Sequence, residues 1–218
     1  MSAVGSEEGI HPRLRDHFQD LGRQTHAARL GMWLVVISEV LLFGGLFALY
    51  GSYRAAHAAG FRAAAGETAL ALGTLMTYLL IVSSLFVALA VQAIRRGAGR
   101  RAAAWLGWAA VLGVVFLGLK GWEYASHLRA GLAPGIYYDH PALEGGGPKL
   151  FFTLYYLMTG LHALHVAVGV GLLLSLAVLA RRGRFDAAYH TPVELGGMYW
   201  HLVDAVWVFL WPLFYLLR

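Results

Sequence analysis

The chain has 218 residues, of which 59% are hydrophobic and 13% are charged, with a formal net charge of +5. Soluble domains carry about 25% charged residues, so this composition excludes an ordinary soluble protein and indicates several membrane spans, with arginines placed by topology rather than for nucleic acid. The absence of cysteine excludes disulfides, iron–sulfur clusters, thiolate-bound metals and covalently attached c-type haem.

Residues 1–28 carry charges of both signs and no long apolar run, so we predict a polar cytoplasmic tail there. Residues 29–218 are predicted to form one membrane domain, because five apolar runs are long enough to cross about 30 Å of hydrocarbon as helices. The runs are Leu30–Tyr53, Thr68–Ile94, Ala103–His127, Leu150–Ala180 and Met198–Leu217. The predicted fold class is all-α, a polytopic transmembrane bundle of five spanning helices.

Two of the predicted connections are short and rich in arginine, those after the second and the fourth span. They contain Arg95, Arg96, Arg100 and Arg101, and Arg181, Arg182 and Arg184. Basic residues in short loops mark the cytoplasmic side, which predicts a cytoplasmic N-terminus and an outer C-terminus. The first and third connections are longer, and residues 129–149 are predicted to form an irregular outer loop that is rich in Gly, Pro, Tyr and Asp.

The first span carries one carboxylate, Glu39, near its middle. Because desolvation disfavours the charged form, we expect this side chain either to be protonated or to be hydrogen-bonded to a neighbouring helix. Two interpretations remain open, a proton-handling group and a structural carboxyl inside the bundle.

Lys120 and Glu123 are three residues apart near the outer end of the third span. This spacing places them on one helix face, where they could form an internal ion pair. The alternative is that the lysine extends outward to the interface and leaves Glu123 to another partner.

His162 and His165 share one face of the fourth span, and His201 and Asp204 share one face of the fifth. The histidines could ligate a metal or a haem, or they could make interhelical hydrogen bonds, which we favour. A carboxylate in hydrocarbon is costly, about 2.5–3.5 kcal/mol, so the fifth helix is predicted to pack against protein.

The residues around the fifth span have simpler interpretations. Glu194 is expected to be a membrane-edge anchor or a helix-start carboxylate. The span also contains tryptophans, which we interpret as interface and packing groups rather than as an electron path. They are Trp200, Trp207 and Trp211.

With these positions established, the chain resembles subunit III of the haem–copper cytochrome c oxidases over about residues 28–218. The resemblance rests on SEVLLFGGLFALY with Glu39, on FFTLYYLMTGLHALHVAVGVGLLL with His162 and His165, and on YWHLVDAVWVFLWPLFYLL. The last run carries over Trp200, His201, Asp204 and Trp207. The runs TLMTYLLIVSSLFVALAVQAIRRG and LGLKGWEY, the latter with Lys120 and Glu123, are also similar. Like the shorter bacterial members, this chain lacks the first two of the seven spans of many relatives.

The resemblance implies a non-catalytic subunit of a proton-pumping terminal oxidase that reduces oxygen to water in a bacterial-type inner membrane. It implies that the chain packs on subunit I, which holds the haems and copper, and supports proton uptake and turnover stability there. It also implies no cofactor on this chain itself, bound phospholipid, and Glu39 as the family's carbodiimide-reactive carboxyl. His162, His165, His201 and Asp204, with Lys120 and Glu123, would then form an interhelical polar network.

Three alternatives stay open at this point. The first is the related accessory protein of nitric oxide reductase systems, which shares these motifs and the five-span length. The second is a small membrane b-type cytochrome, with haem held by His162 or His165 and by His201. The third is an independent proton or ion carrier that uses Glu39, Asp204 and the histidines as a relay.

Overall fold

The computed structural model describes residues 20–140, 143, 145–187 and 189–217. Within these residues the chain forms six α-helices and no strand. They are α1 (Leu21–Ala56), α2 (Ala58–Gly66), α3 (Leu70–Arg95), α4 (Gly99–Arg129), α5 (Gly146–Arg181) and α6 (Thr191–Trp211). A 3₁₀ turn, Gly135–Tyr137, lies in the loop before α5, and a π-helical turn, Pro212–Leu216, extends α6.

Five of these helices are long and apolar enough to cross a membrane, which confirms the predicted fold class. Helices α1, α4 and α5 extend beyond the predicted apolar runs at both ends, whereas α3 begins at Leu70, two residues after the start of its predicted run. Helix α1 begins at Leu21, inside the segment predicted as the tail, whose remaining residues 1–19 lie outside the described part of the chain. Helix α6 begins at Thr191 rather than at Met198. Apolar runs measure hydrocarbon thickness, whereas helical hydrogen bonding continues into the polar interface, and Pro192 is well suited to a first helical turn.

Helices α3, α4, α5 and α6 form a four-helix bundle in which each packs on its two neighbours, and α1 lies outside it against α6 and α5. Alternate helices run in opposite directions. The start of α1, the end of α3, the start of α4, the end of α5 and the start of α6 therefore meet at one end of the bundle, which we call the arginine-rich end. The opposite end, with α2, the loop between α4 and α5 and the π turn, is called the loop end. This loop is shorter than the predicted 129–149, because α5 already begins at Gly146.

Trp200 fixes the centre of the bundle. Its fully buried indole lies against two glycines, one on α4 and one on α5. A Cβ on Gly113 would lie 2.8 Å from Trp200 and 2.7 Å from Val170, and a Cβ on Gly169 would lie 2.8 Å from the same indole. The glycines let α4 and α5 approach an aromatic side chain where no hydrophobic effect drives helices together. Trp200 is thus a packing group.

The loop end holds a helix that the sequence patterns did not predict. Helix α2 fills the first connection and buries Phe61 between Tyr50 of α1 and Phe151 of α5. Gly60 and Gly147 bring the backbones of α2 and α5 into contact. At nine residues, α2 is too short to give a spanning signal, so only its packing identifies it.

Gly113→Ala tests the packing around Trp200. The added methyl group would meet both Trp200 and Val170, and overpacking of this kind costs about 1–3 kcal/mol. We expect a clearly lower thermal unfolding midpoint for the purified chain in detergent. Gly118→Ala is the matched control on the same helix, because nothing lies within 4 Å of a Cβ there. Equal midpoints for the two variants would contradict this account of the bundle centre.

Candidate functional site

The polar residues at membrane depth form three separate groups. Lys120 and Glu123 lie together near the loop end, Glu39 meets His165 between α1 and α5, and His201 lies with Ser84 between α3 and α6. They do not form one relay or one ligand set. Among the described residues, no group of three or more His, Asp or Glu side chains is placed to hold a metal ion.

Lys120 is the centre of a fully buried polar cluster. Its Nζ donates to Glu123 Oε2 at 2.9 Å, to the Tyr155 hydroxyl at 2.8 Å and to the Tyr215 hydroxyl at 2.9 Å. An ammonium has three protons, and each has an acceptor here. The Tyr215 hydroxyl in turn donates to Glu123, 2.7 Å from Oε2. The lysine therefore does not extend to the interface, and the two charged side chains are each only 2% exposed.

The tyrosines of this cluster were missed at the sequence level. Tyr155 lies in an aromatic run of α5, and Tyr215 lies in the π turn after α6. In sequence they resemble ordinary packing aromatics. The available signal was chemical, since a buried Tyr hydroxyl usually finds a polar partner. The Lys120 ammonium, once bonded to Glu123, still had two N–H groups that needed acceptors.

Glu39 and His165 meet across the α1–α5 interface. The distance from Glu39 Oε2 to His165 Nε2 is 3.1 Å, although its angle is poor for a hydrogen bond. His165 Nδ1 lies 2.8 Å from the Leu161 carbonyl oxygen, which can only accept, so Nδ1 carries a proton. The Glu39–His165 contact is then attractive only with one further proton, held either by Nε2 or by the carboxyl group.

A small cavity lies beside this pair, lined by Glu39, His162, His165 and apolar residues of α1 and α6. Its volume of about 10 Å³ is close to the space that one water molecule requires. His162 is fully buried, with ring centroids 5.6 Å from Phe116 and 5.1 Å from Trp207. Neither of its nitrogens has a hydrogen-bond partner among the described residues. Aromatic side chains of α4 and α6 therefore enclose the His162 imidazole.

His201 and Asp204 occupy the α3–α6 interface. His201 Nδ1 and Ser84 Oγ are 2.5 Å apart, and the imidazole is otherwise exposed on the outside of the chain. Asp204 is only 6% exposed, and neither carboxyl oxygen makes a hydrogen bond to a described residue. Ser84 also lies near Asp204. The hydrogen bond of the Ser84 hydroxyl that has acceptable geometry, however, is the one with His201 Nδ1.

A wider cavity connects this interface to the arginine-rich end. It has a volume of about 460 Å³ and is lined by residues of α1, α3 and α6, including Gln92, Glu194 and His201. Glu194, in the first turn of α6, lies 2.9 Å from Arg29 of α1 and 2.7 Å from Arg95 of α3. This carboxylate therefore links α6 to α1 and to α3. The sequence predicted Glu194 at a helix start or membrane edge, but it did not predict Arg29 and Arg95 as its partners.

Comparison with known proteins gives one consistent family. The family model for cytochrome c oxidase subunit III matches residues 19–217. The chain is 35% identical over 189 residues to cytochrome c oxidase subunit 3 of Thermostichus vulcanus, covering 86% of each chain. It is 30% identical over 188 residues to the subunit of the same name from Alkalihalophilus pseudofirmus, covering 86% of this chain and 85% of the relative. It is also 30% identical over 205 residues to cytochrome bo(3) ubiquinol oxidase subunit 3 of Pseudomonas aeruginosa, covering 93% of this chain and 89% of the relative.

The Lys120 cluster predicts a specific pattern of stabilities. Glu123→Ala would leave a buried ammonium without its counter-ion, which costs about 3–5 kcal/mol. Tyr215→Phe would remove the hydrogen bond that Lys120 donates and the one that Glu123 accepts, at about 1.5–3 kcal/mol for each. We expect both variants to lower the unfolding midpoint in detergent, while Tyr78→Phe on the exposed face of α3 leaves it unchanged.

The double variant Lys120→Met/Glu123→Leu separates the charge from the packing. Replacing both members of a buried ion pair by apolar residues of similar volume is often tolerated, so we expect it to be more stable than Glu123→Ala. A double variant less stable than Glu123→Ala would contradict the assignment of the loss to an uncompensated charge.

Proposed function

Because the chain belongs to the cytochrome c oxidase subunit III family, we propose that it docks onto the haem- and copper-bearing subunit I and supports proton uptake there. At the level of the complex, it is a subunit III of a proton-translocating haem–copper oxidase and a multi-pass membrane protein. The membrane would be a bacterial-type inner membrane, with the arginine-rich end on the cytoplasmic side. No residue of this chain is assigned to a redox centre.

The observation that carries the docking proposal is the exposed imidazole of His201. It lies seven residues after Glu194, which is about 10 Å along a helix and therefore inside the hydrocarbon. Nδ1 is bonded to Ser84, and lipid tails offer no partner to the other nitrogen. A helix of another subunit that packs on α3 and α6 would supply it. The exposed apolar side chains nearby, such as Ile81 and Leu85 of α3, suit the same contact.

The Glu39–His165 pair supports the role in proton uptake. Its contact requires one shared proton at membrane depth, and a water-sized cavity adjoins it. Glu39 is the member of the pair that belongs to α1. The surface of α1 that faces the membrane is otherwise apolar and exposed. Gain or loss of a proton by the Glu39 carboxyl group would change how α1 is held against the bundle. Phospholipid bound along α1 would then meet a changed surface.

The relatives from Thermostichus, Alkalihalophilus and Pseudomonas are all subunits of oxidases, which favours an oxidase over a nitric oxide reductase as the partner. Two of the names specify cytochrome c oxidase and one a ubiquinol oxidase. They therefore support the role as subunit III without choosing the electron donor. The enclosed packing of His162 and the contact of His165 Nε2 with Glu39 weigh against the b-type cytochrome, in which either histidine would hold haem together with His201.

Docking can be tested by affinity purification of the tagged chain in mild detergent. We expect a haem-bearing oxidase subunit I in the eluate, identified by its optical spectrum and by mass spectrometry. His201→Leu should retain about tenfold less of it, since losing one buried hydrogen bond costs about 1–2 kcal/mol. Trp108→Leu, on the exposed face of α4, is the control. A nitric oxide reductase as the partner, or haem on the isolated chain, would overturn the proposal.

Glu39→Ala is expected to leave the haem spectrum of the purified complex intact and to shorten its working life during turnover. His165→Phe should do the same, because both variants remove the shared proton. Glu39→Gln keeps the size and the hydrogen-bonding capacity of the side chain but cannot ionise, so we expect it to behave like Glu39→Ala. Glu67→Ala, an exposed carboxylate at the loop end, is the control. An unchanged turnover lifetime in Glu39→Ala would refute a role for the pair in turnover.

A further inference from the structure

Asp204 is a buried carboxyl group whose place in the bundle is not explained by packing. It is only 6% exposed, and neither of its oxygens makes a hydrogen bond to a described residue. It lies ten residues after Glu194, about 15 Å along α6, which is half of the roughly 30 Å of hydrocarbon. An ionised carboxylate at this depth without a counter-ion is costly, so a bound proton stabilises this side chain.

The polar groups that face Asp204 come from α3 and from its own helix. On α3 the Ser84 hydroxyl lies near the carboxyl group, and His201 lies about one turn earlier on α6. No described cation is hydrogen-bonded to the carboxyl group. The titratable side chains of α1 and α5 near this depth line the small cavity on an adjoining side of α6; they are Glu39, His162 and His165.

Ser84 connects the buried carboxyl group to His201. The distance from Ser84 Oγ to His201 Nδ1 is 2.5 Å. A hydroxyl group both accepts and donates, so it can accept a proton from the imidazole while it gives its own to the carboxylate. Imidazole is a proton shuttle, because it can take up a proton at one nitrogen and release one from the other. Ser84 lies eleven residues before Arg95, about 16 Å along α3, so both helices place this link near mid-membrane.

The cavity of about 460 Å³ between α1, α3 and α6 joins this link to the arginine-rich end. His201 lies at its inner end, Gln92 lies further out along α3, and charged side chains lie at its mouth. The charged residues are Arg29, Arg95 and Glu194. The volume is many times the roughly 30 Å³ that one water molecule occupies in the liquid, and polar groups lie along its length. The cavity therefore has the size and the lining to hold a chain of water molecules from the mouth to His201.

Toward the loop end, aromatic packing closes the bundle beyond Asp204. Trp207, three residues later on α6, is fully buried, with its ring centroid 4.8 Å from that of Phe116. Its indole N–H donates to Thr77 Oγ1, and the exposed face of α3 on this side carries apolar residues such as Ile81. The arginine-rich end is therefore the more accessible side for a proton that reaches Asp204.

We propose that Asp204 is a proton store that is filled from the arginine-rich end through the cavity, His201 and Ser84. A proton from water in the cavity binds His201 Nε2, the proton on Nδ1 passes to Ser84 Oγ, and the Ser84 hydroxyl proton passes to the Asp204 carboxylate. One proton enters, one arrives, and the negative charge of Asp204 is neutralised. In the complex the same imidazole would return the proton across the docking face to subunit I, and only that step rests on the function proposed above.

The state of the store can be measured by infrared spectroscopy on the full chain purified in detergent. A protonated carboxyl group has a C=O stretching band that an ionised carboxylate lacks. We expect one such band to vanish in Asp204→Asn and to change frequency in Asp204→Glu, which keeps a carboxyl group if the asparagine variant does not fold. A spectrum in which neither variant alters such a band would show that Asp204 holds no proton and would overturn the proposal.

The route can be tested by the rate at which this band moves to lower frequency after rapid mixing into D₂O, as O–H becomes O–D. Ser84→Ala should slow the exchange about a hundredfold, since one positioned proton-transfer group contributes about 10²–10⁴ in rate. Ser175→Ala is the matched control, because the Ser175 hydroxyl is exposed on α5 and donates to the Gly171 carbonyl oxygen of its own helix. Unchanged exchange in Ser84→Ala would overturn the route.

Gln92→Leu and Thr74→Val locate the entrance. Both residues are exposed on α3, Gln92 eight residues after Ser84 and Thr74 ten residues before it. Gln92→Leu removes polar lining from the cavity and should slow the exchange, by less than Ser84→Ala does, whereas Thr74→Val should not. Slowing by Thr74→Val instead of Gln92→Leu would place the entrance at the loop end and overturn the proposal. The measurement needs no partner subunit, so its outcome is independent of the docking test.

Discussion

A charged side chain inside a membrane bundle must find every hydrogen-bond partner within protein, because hydrocarbon supplies none. In this chain the requirement is met most completely at Lys120, whose three N–H groups reach Glu123 and the hydroxyls of Tyr155 and Tyr215. These partners lie on α4, on α5 and in the π turn after α6. Satisfying one ammonium therefore sets the relative height of three elements and fixes the loop end of the bundle.

The polar groups nearer the middle of the membrane are different. Asp204 and His162 are buried without a hydrogen-bond partner among the described residues, and Glu39 has only the angled contact with His165. Buried polar groups are nearly always satisfied in folded proteins, so the exceptions require a reason. A water-sized cavity adjoins Glu39 and His162, and the exposed His201 lies three residues before Asp204. The Lys120 cluster is thus complete within this chain, whereas the mid-membrane groups lack such partners among the described residues, in keeping with the docking and proton-uptake roles proposed above.

The features of the fold that depend on local residue spacing could be predicted from the sequence. Apolar runs predicted the five spans, and the three-residue spacing of Lys120 and Glu123 predicted that an ion pair could form, because both depend on helix geometry alone. Spacing could not supply the tertiary partners. Tyr155 and Tyr215 lie far from Lys120 in sequence, and nothing in the first span indicates that Glu39 faces His165. Helix α2 escaped prediction because its burial, rather than its length or polarity, makes it an element.

Helix α1 is attached to the bundle by aromatic packing as well as by polar contacts, and no hydrophobic effect adds to these within a bilayer. Only one stripe of α1 is covered by the chain, and its polar contacts lie along the length of the helix. Arg29 reaches Glu194 at the arginine-rich end, Glu39 meets His165 in the middle, and the Tyr50 hydroxyl donates to the Leu213 carbonyl oxygen near the loop end. The two outer contacts involve no shared proton, whereas the middle one is attractive only when a proton lies between His165 Nε2 and the Glu39 carboxyl group. We therefore propose that protonation of this pair changes how closely α1 is held to α5 at mid-membrane and leaves the contacts at both ends of α1 in place.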